Sequence, residues 1–256
     1  MVKKRILGVV TVKDNWVVQS FGYNKYLPVG RPECIIENLD RWGADEILVQ
    51  VIDRSKDSRG PDFELLRRIG KLSLSTPLIY AGGIQSESDA VEVIKHGADR
   101  LVIDYLLRSK PEVITDLASY LGSQAIIASL PVYIIGSDLN LFNYDDRTSE
   151  ILSSKILDII SDKKIISEVL LINVKGEGYH NTFSLELVNN FPIDNISFIA
   201  FGGISDPDLI NSLLNHKNVS AVAIGNSLNY KEHSIQSIKG FCDNNNVRKP
   251  DYHSNI

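Results

Sequence analysis

Two glycine pairs, half a chain apart, are the residues of this sequence whose spacing points most directly to chemistry. Pro77-Leu-Ile-Tyr-Ala-Gly82-Gly83-Ile84 is an apolar run broken by glycines, after which Ser86-Glu-Ser-Asp opens a helix. Ile196-Ser-Phe-Ile-Ala-Phe-Gly202-Gly203-Ile204 repeats the design before Ser205-Asp-Pro-Asp, with Gly202 lying 120 residues after Gly82. A strand that ends in Gly-Gly and runs into a helix exposes backbone N–H groups that an anion can approach. The chemistry implied is a pair of phosphate sites. The competing account is two tight turns that need only the dihedral freedom of glycine. Two loops in matching contexts favour phosphate.

Other chemistries find little support. His96, His180, His216, His233 and His253 are scattered through helix ends and loops, and none stands four residues from another His or from a paired Cys. Cys34 and Cys242 fall in predicted helices without metal spacing. There is no Gly-x-Ser-x-Gly elbow. No metal or cofactor is expected.

The elements that must carry the glycine loops share their period. Ala44-Asp-Glu46-Ile-Leu-Val matches Ile166-Ser-Glu168-Val-Leu-Leu at an offset of 122, and Gly97-Ala-Asp-Arg-Leu-Val-Ile matches Val219-Ser-Ala-Val-Ala-Ile at an offset near 121. A period of half a chain means a duplicated unit. Strands are expected from near Arg5, Glu46, Pro77, Arg100, Ala125, Glu168, Ile196 and Val219. Helices are expected from near Glu33, Asp62, Glu87, Pro111, Thr148, Phe183, Pro207 and Ser234. Runs such as Ala221-Val-Ala-Ile are apolar throughout, as when both faces of a parallel sheet are covered. Eight βα units in about 250 residues fit an α/β fold of the (β/α)8 barrel type. A doubly wound open sheet would leave the twofold repeat unexplained. The expectation is a single barrel over 1–256, built from half-barrel repeats of about 1–123 and 124–240, with a polar, flexible tail at 243–256.

Composition bounds the partners. A formal net charge of −5 without a basic stripe argues against nucleic acid. No apolar stretch reaches the roughly 18 residues of a membrane span, and no secretory signal precedes Arg5. A cytoplasmic protein is expected.

Together the residues carry a resemblance. Arg5-Ile-Leu, Val12-Lys13-Asp14 with Val17-Val18, Trp42-Gly43-Ala44-Asp45-Glu46, both Gly-Gly-Ile loops and Gly122-Ser123-Gln124-Ala125 resemble the histidine-biosynthetic barrels, nearest the cyclase subunits of imidazole glycerol phosphate synthase. The similarity runs from Arg5 to about Ser227. It implies a barrel that docks a glutaminase of the class I amidotransferase type on its N-terminal face. Ammonia would then cross the interior to a bisphosphorylated substrate at the C-terminal face.

The resemblance fails where the acids should stand. The family's catalytic Asp on the first strand is Thr11 here, its loop lysine is Gln19, and its second catalytic Asp is matched to Leu130. Closing an imidazole ring needs groups that exchange protons near neutral pH, which these side chains do not supply. Asp53 and Asp138 are the nearby substitute candidates. For phosphate, Gly202, Gly203, Gly225 and Asn226 form the intact second site. The first has Gly82 and Gly83, but Asp104-Tyr105 replaces the family's Asn-Thr. A carboxylate beside a phosphate repels it. Asp104 has other roles open to it, as a helix cap or a partner of Lys175 or Arg108, and one working phosphate site is the simplest consequence.

Arg5, Glu46, Arg100 and Glu168 begin strands one, two, four and six, so their side chains converge on the barrel axis at its bottom. Charge alone leaves a salt-bridged plug and a functional gate equally open. The resemblance implies the gate of an ammonia channel, with Asp99 at the glutaminase interface. Keeping the delivery apparatus while losing the acids resembles the branch associated with surface-polysaccharide genes. Its implied role is to pass glutamine-derived ammonia to a sugar amidation enzyme. The alternatives are a true cyclase (a lyase) of histidine biosynthesis and a non-catalytic barrel that binds a phosphorylated small molecule.

Overall fold

The computed structural model describes residues 3–55, 58–242 and 247–248. Strands follow in chain order as β1 (Arg5–Lys13), β2 (Trp16–Phe21), β3 (Lys25–Gly30), β4 (Glu46–Val51), β5 (Leu78–Ala81) and β6 (Arg100–Ile103). After them come β7 (Ile126–Ile135), β8 (Asp138–Phe142), β9 (Ser149–Ile151), β10 (Glu168–Asn173), β11 (Phe198–Phe201) and β12 (Val219–Ile224). Eight of these are parallel and close a (β/α)8 barrel in the order β1-β4-β5-β6-β7-β10-β11-β12, with β12 returning to β1. The expected tail, 243–256, lies outside the described residues except for Val247 and Arg248.

Strand alternation sorts the apolar residues into two cores. On β1, Leu7 and Val9 point inward and meet Leu48, Ile79, Ile127 and Leu170. Ile6, Val10 and Val12 point outward and pack under helices through Ile36 and Leu39. Both faces are dry, which is why these strands read as unbroken apolar runs. The helices start on signals visible in the sequence. Asp62 accepts from the N–H of Leu65, Ser86 from Asp89 and Ser153 from Ile156, while Pro32 and Pro207 occupy first-turn positions.

The structure departs from the expected element list above the barrel. β1 runs on past the barrel rim and pairs antiparallel with β2, and β2 with β3. The turn is Asp14-Asn15, both at positive φ, the two-residue form that matches strand twist. β7 does the same with β8 and β9. The helix expected from Thr148 therefore begins at Ser154, because Ser149–Ile151 is strand. The helix expected near Phe183 is one short turn, Glu186–Asn189, and an extra helix, Tyr105–Ser109, follows β6 directly.

Candidate functional site: a charged ring, an apolar inner core and an open mouth

At the bottom of the barrel the four strand-initial charges form a closed alternating ring. Arg5 Nη1 lies 3.0 Å from Glu46 Oε2, and its Nη2 pairs with Glu168 Oε1. Arg100 Nη1 lies 3.1 Å from Glu46 Oε1, and its Nη2 is 2.7 Å from Glu168 Oε2. Ser220 and Ser167 brace the guanidinium groups, the second at 2.9 Å. Burial raises Glu46 above the usual carboxylate range despite both arginines. Glu168 feels similar burial, but Arg5, Arg100 and the Ser220 hydroxyl outweigh it and hold its pKa below that range. Asp99, next to the ring, is exposed, and its Oδ2 accepts from the Leu78 N–H at 2.8 Å. Asp45 braces Ile6 in the same way, with Lys239 2.8 Å from its other oxygen.

Above the ring the interior is lined by Leu7, Leu48, Ile127, Leu170 and Ala221, all at most 2% exposed. This apolar inner core ends in neutral hydrogen bonds. Gln50 Nε2 donates to Thr11 Oγ1 at 2.7 Å, and the Tyr23 hydroxyl reaches Gln50 Oε1 at 3.5 Å. Thr11 thus faces inward and is a hydrogen-bond acceptor, not an acid. Leu130 does not face the site. Alternation along β7 buries it in the outer, helix-facing core, while Ser129 lines the cavity and Pro131 shares the Ser129 face. The match of Leu130 to an acid position is corrected by one residue, since a one-residue step changes faces. Gln19 sits on β2 opposite Leu27 and does not line the cavity.

A cavity of about 500 Å3 opens at the C-terminal mouth on the side of Gly82 and Gly83. Both glycines have positive φ, and a Cβ at Gly83 would collide with the Gly60 carbonyl, so the turn geometry requires glycine. The Gly83 N–H donates to Ser55 Oγ at 3.2 Å. Asp104 lines the cavity and pairs with Arg108 at 2.8 Å; desolvation raises its pKa in spite of that partner. Of the roles open to Asp104, the pair with Arg108 is the one formed, while Lys175 lies over the Tyr133 ring. Asp53 also lines the cavity. Its Oδ2 accepts from the Asp14 N–H at 3.1 Å and pairs with Arg59 at 3.0 Å. Asp138 begins β8 at an exposed turn, away from the cavity lining.

The second glycine loop is held by the chain on its carbonyl side. Gly203 offers its carbonyl to the N–H groups of Thr182 and Phe183, and a Cβ at Gly203 would collide with Thr182 Oγ1. Gly202 backs onto Asn173, with no room for a Cβ there. Gly225 leads into Asn226, whose side chain binds Ser20 and Gly178 rather than facing open space. Glu177 ties the same loop to the β2–β3 hairpin. Its carboxylate accepts from Ser20 Oγ at 3.0 Å and the Tyr23 N–H at 3.1 Å, and its carbonyl from Gly22 at 2.9 Å. Glu177 is 2% exposed, and burial raises its pKa.

The structure therefore brings Gly82, Gly83, Asp104 and Asp53 to an open cavity, while Gly202, Gly203, Gly225 and Asn226 lie together at a separate seam beside the β2–β3 hairpin. Sequence reasoning passed over Glu177, Gln50, Tyr23, Tyr144 and Arg147. One signal was available for the first: Gly176-Glu177-Gly178 flanks an acid with glycines, a mark of close backbone approach.

Comparison with known proteins places the chain. The sequence pattern of the family described as "Histidine biosynthesis protein" matches residues 5–234. A Vibrio vulnificus (strain YJ016) protein, provisionally named imidazole glycerol phosphate synthase subunit hisF2, is 31% identical over 244 residues, covering 93% of this chain and 88% of that protein. The imidazole glycerol phosphate synthase subunit HisF of Natranaerobius thermophilus is 25% identical over 251 residues, covering 96% and 98%. The subunit of the same name from Staphylococcus aureus (strain Newman) is 26% identical over 242 residues, covering 93% and 96%. Among the described residues, no helix is long and apolar enough to cross a membrane.

Proposed function

The chain belongs to the histidine biosynthesis protein family, and from that membership we propose that it is the barrel subunit of a glutamine amidotransferase complex that has lost cyclase activity. A glutaminase docks on the N-terminal face near Asp99. The ring of Arg5, Glu46, Arg100 and Glu168 gates the bore, and uncharged ammonia crosses to the mouth. The nitrogen then passes to a sugar amidation enzyme of surface polysaccharide biosynthesis.

One observation carries this reading. The ring that would admit ammonia is complete, with each arginine paired to both glutamates. Where the inner core meets the mouth stand Thr11, Gln50 and Ser129, which neither give nor take a proton near neutral pH, and the carboxylates of Asp53 and Asp104 at the rim are paired with Arg59 and Arg108. An apolar bore suits neutral ammonia and excludes ammonium, because burying an unpaired charge is costly.

The test measures glutamine hydrolysis and nitrogen transfer separately in the complex of this chain with its glutaminase. Asp99→Ala should weaken assembly or glutaminase activation. Truncating Arg5 or Arg100 should leave glutamine hydrolysed while less nitrogen reaches the acceptor than from added ammonium. Wild-type behaviour in all three variants would reduce the ring to a structural plug.

A second reading, a cyclase of histidine biosynthesis, is favoured by one observation only: Asp53 lines the cavity as a substitute acid. Product from the histidine-pathway bisphosphate and ammonium, lost in Asp53→Asn, would establish it.

A further inference from the structure

The open half of the mouth has a lining ill suited to a phosphate ester. Lys13, Arg59 and Arg147 line it together with the carboxylates of Asp14, Asp53, Asp104 and Asp145. The cations are already engaged. Lys13 lies 2.6 Å from Asp14, Arg59 lies 3.0 Å from Asp53, and Arg147 donates to the Tyr23 carbonyl at 3.1 Å. The Gly83 N–H that would meet an anion already donates to Ser55. A doubly charged phosphate here would face carboxylates at close range.

Two polar atoms of the lining residues have unmet needs. Asp53 Oδ1 and the Tyr144 hydroxyl are buried without a hydrogen-bond partner. An ionised carboxylate oxygen only accepts, so Asp53 asks for a hydroxyl or N–H, and a buried group left unpaired is destabilising until one arrives. Around them stand the rings of Tyr23, Tyr26, Tyr105 and Tyr144. Aromatic faces with a few fixed polar atoms are the composition of a site for a small, ring-shaped polar ligand, and about 500 Å3 is ample for one.

We propose that this cavity binds an uncharged saccharide ring, with a hydroxyl or N–H on Asp53 Oδ1 and a second group on the Tyr144 hydroxyl. The inference rests on the proposed function in one respect: a sugar held here lies where nitrogen would leave the bore, so the barrel contributes part of the acceptor site.

The full chain is examined by ligand-detected saturation-transfer NMR with methyl glucoside, N-acetylglucosamine and N-acetylgalactosamine as probes. Ribose 5-phosphate and inorganic phosphate serve as comparison and competitor. At least one saccharide should bind, undisturbed by inorganic phosphate. Tyr144→Phe, which keeps the ring and removes the hydroxyl, should weaken it roughly fivefold, as for one lost hydrogen bond. Asp53→Asn should weaken it further. If that variant unfolds for want of the Arg59 pair, the Tyr144→Phe comparison decides alone. Silence from all three saccharides overturns the proposal, as does binding of ribose 5-phosphate that inorganic phosphate displaces. Glutaminase activation, measured on the same samples, separates the two ideas. Activation without saccharide binding sinks this inference and leaves the ammonia-conducting reading standing; saccharide binding without activation does the reverse.

Discussion

Asn226 grips the backbone of Ser20 at both ends: Oδ1 accepts from the Ser20 N–H at 3.2 Å, and Nδ2 donates to the Ser20 carbonyl at 2.7 Å. The side-chain amide thus acts as a short strand partner for the end of β2. It fixes the hairpin over the second glycine loop, 206 residues away in sequence.

Asn226→Asp removes the donor and sets a carboxylate against two carbonyls, those of Ser20 and Gly178. The hairpin should come loose at a cost of about 1–3 kcal/mol, the range for unmaking buried hydrogen bonds. Hydrogen exchange should quicken across Trp16–Gly30 and stay slow in β4 and β10. Unchanged exchange in the hairpin would show that Glu177 suffices to hold it.

Glu177 gives the hairpin a pH dependence of known sign. Its pKa is raised in the folded protein by burial, so folding takes up a proton. The stability it contributes is complete below the unfolded Glu value of about 4.3 and is lost as pH rises through the raised folded value. Glu177→Gln resembles the protonated form. It should melt higher than wild type at about pH 8 and nearly equal to it at about pH 4, with a flatter profile between. Parallel profiles for the two proteins would remove Glu177 from the account.

Gly178→Ala attacks the same seam from the backbone. The residue stands at φ +82, and a Cβ would strike the Ser20 carbonyl. The dihedral alone should cost about 1–2 kcal/mol, and the collision adds to it. Urea unfolding should show the loss, with faster hairpin exchange and far-UV circular dichroism near wild type.

Arg100→Ala leaves Glu46 and Glu168 to share Arg5. Removing one partner of a fully buried pair costs roughly 3–5 kcal/mol, and this ring, partly reached by water, should lose less. Arg100→Lys should recover part of the loss, because an ammonium lacks the planar fork that spans two carboxylates. Equal unfolding midpoints for all three proteins would mean the ring contributes nothing to stability.

Thr11→Asp combined with Pro131→Asp should not restore ring closure on the histidine-pathway bisphosphate. A carboxyl placed beside the apolar inner core favours its protonated form, and the carboxylates of Asp53 and Asp104 beside Gly82 and Gly83 repel one end of a bisphosphate. Single-turnover assays should stay at background, far below the ~1 per second or more of ordinary enzymes.

The barrel was legible in the sequence because its signals are local. Apolar runs such as Ile199-Ala-Phe and the glycine pairs each mark a strand or its end, and Asp62, Ser86 and Pro207 mark helix starts. The hairpins were harder to see. β1 and β7 continue past the rim without interruption, and Asp14-Asn15 looks like any polar loop until its positive φ angles are known. The site was half legible. The four ring charges could be placed from strand starts alone, but Leu130 could not be separated from Ser129 without the register. Nor could sequence show that Glu177 and Asn226 meet at Ser20, since those contacts span 157 and 206 residues.

The ring at the bottom of the barrel also has a mechanical side. Each guanidinium is a shared link between two carboxylates that stand on different strands, so no side chain in the circuit can swing aside by breaking one contact. Withdrawing either arginine severs two ion pairs together, and withdrawing either glutamate does the same. Such a clasp has little reason to rest partly ajar. As the gate proposed above, it would switch between shut and open in an all-or-none manner, and a glutaminase docked beneath it would have to supply enough interaction energy to replace two links at a stroke.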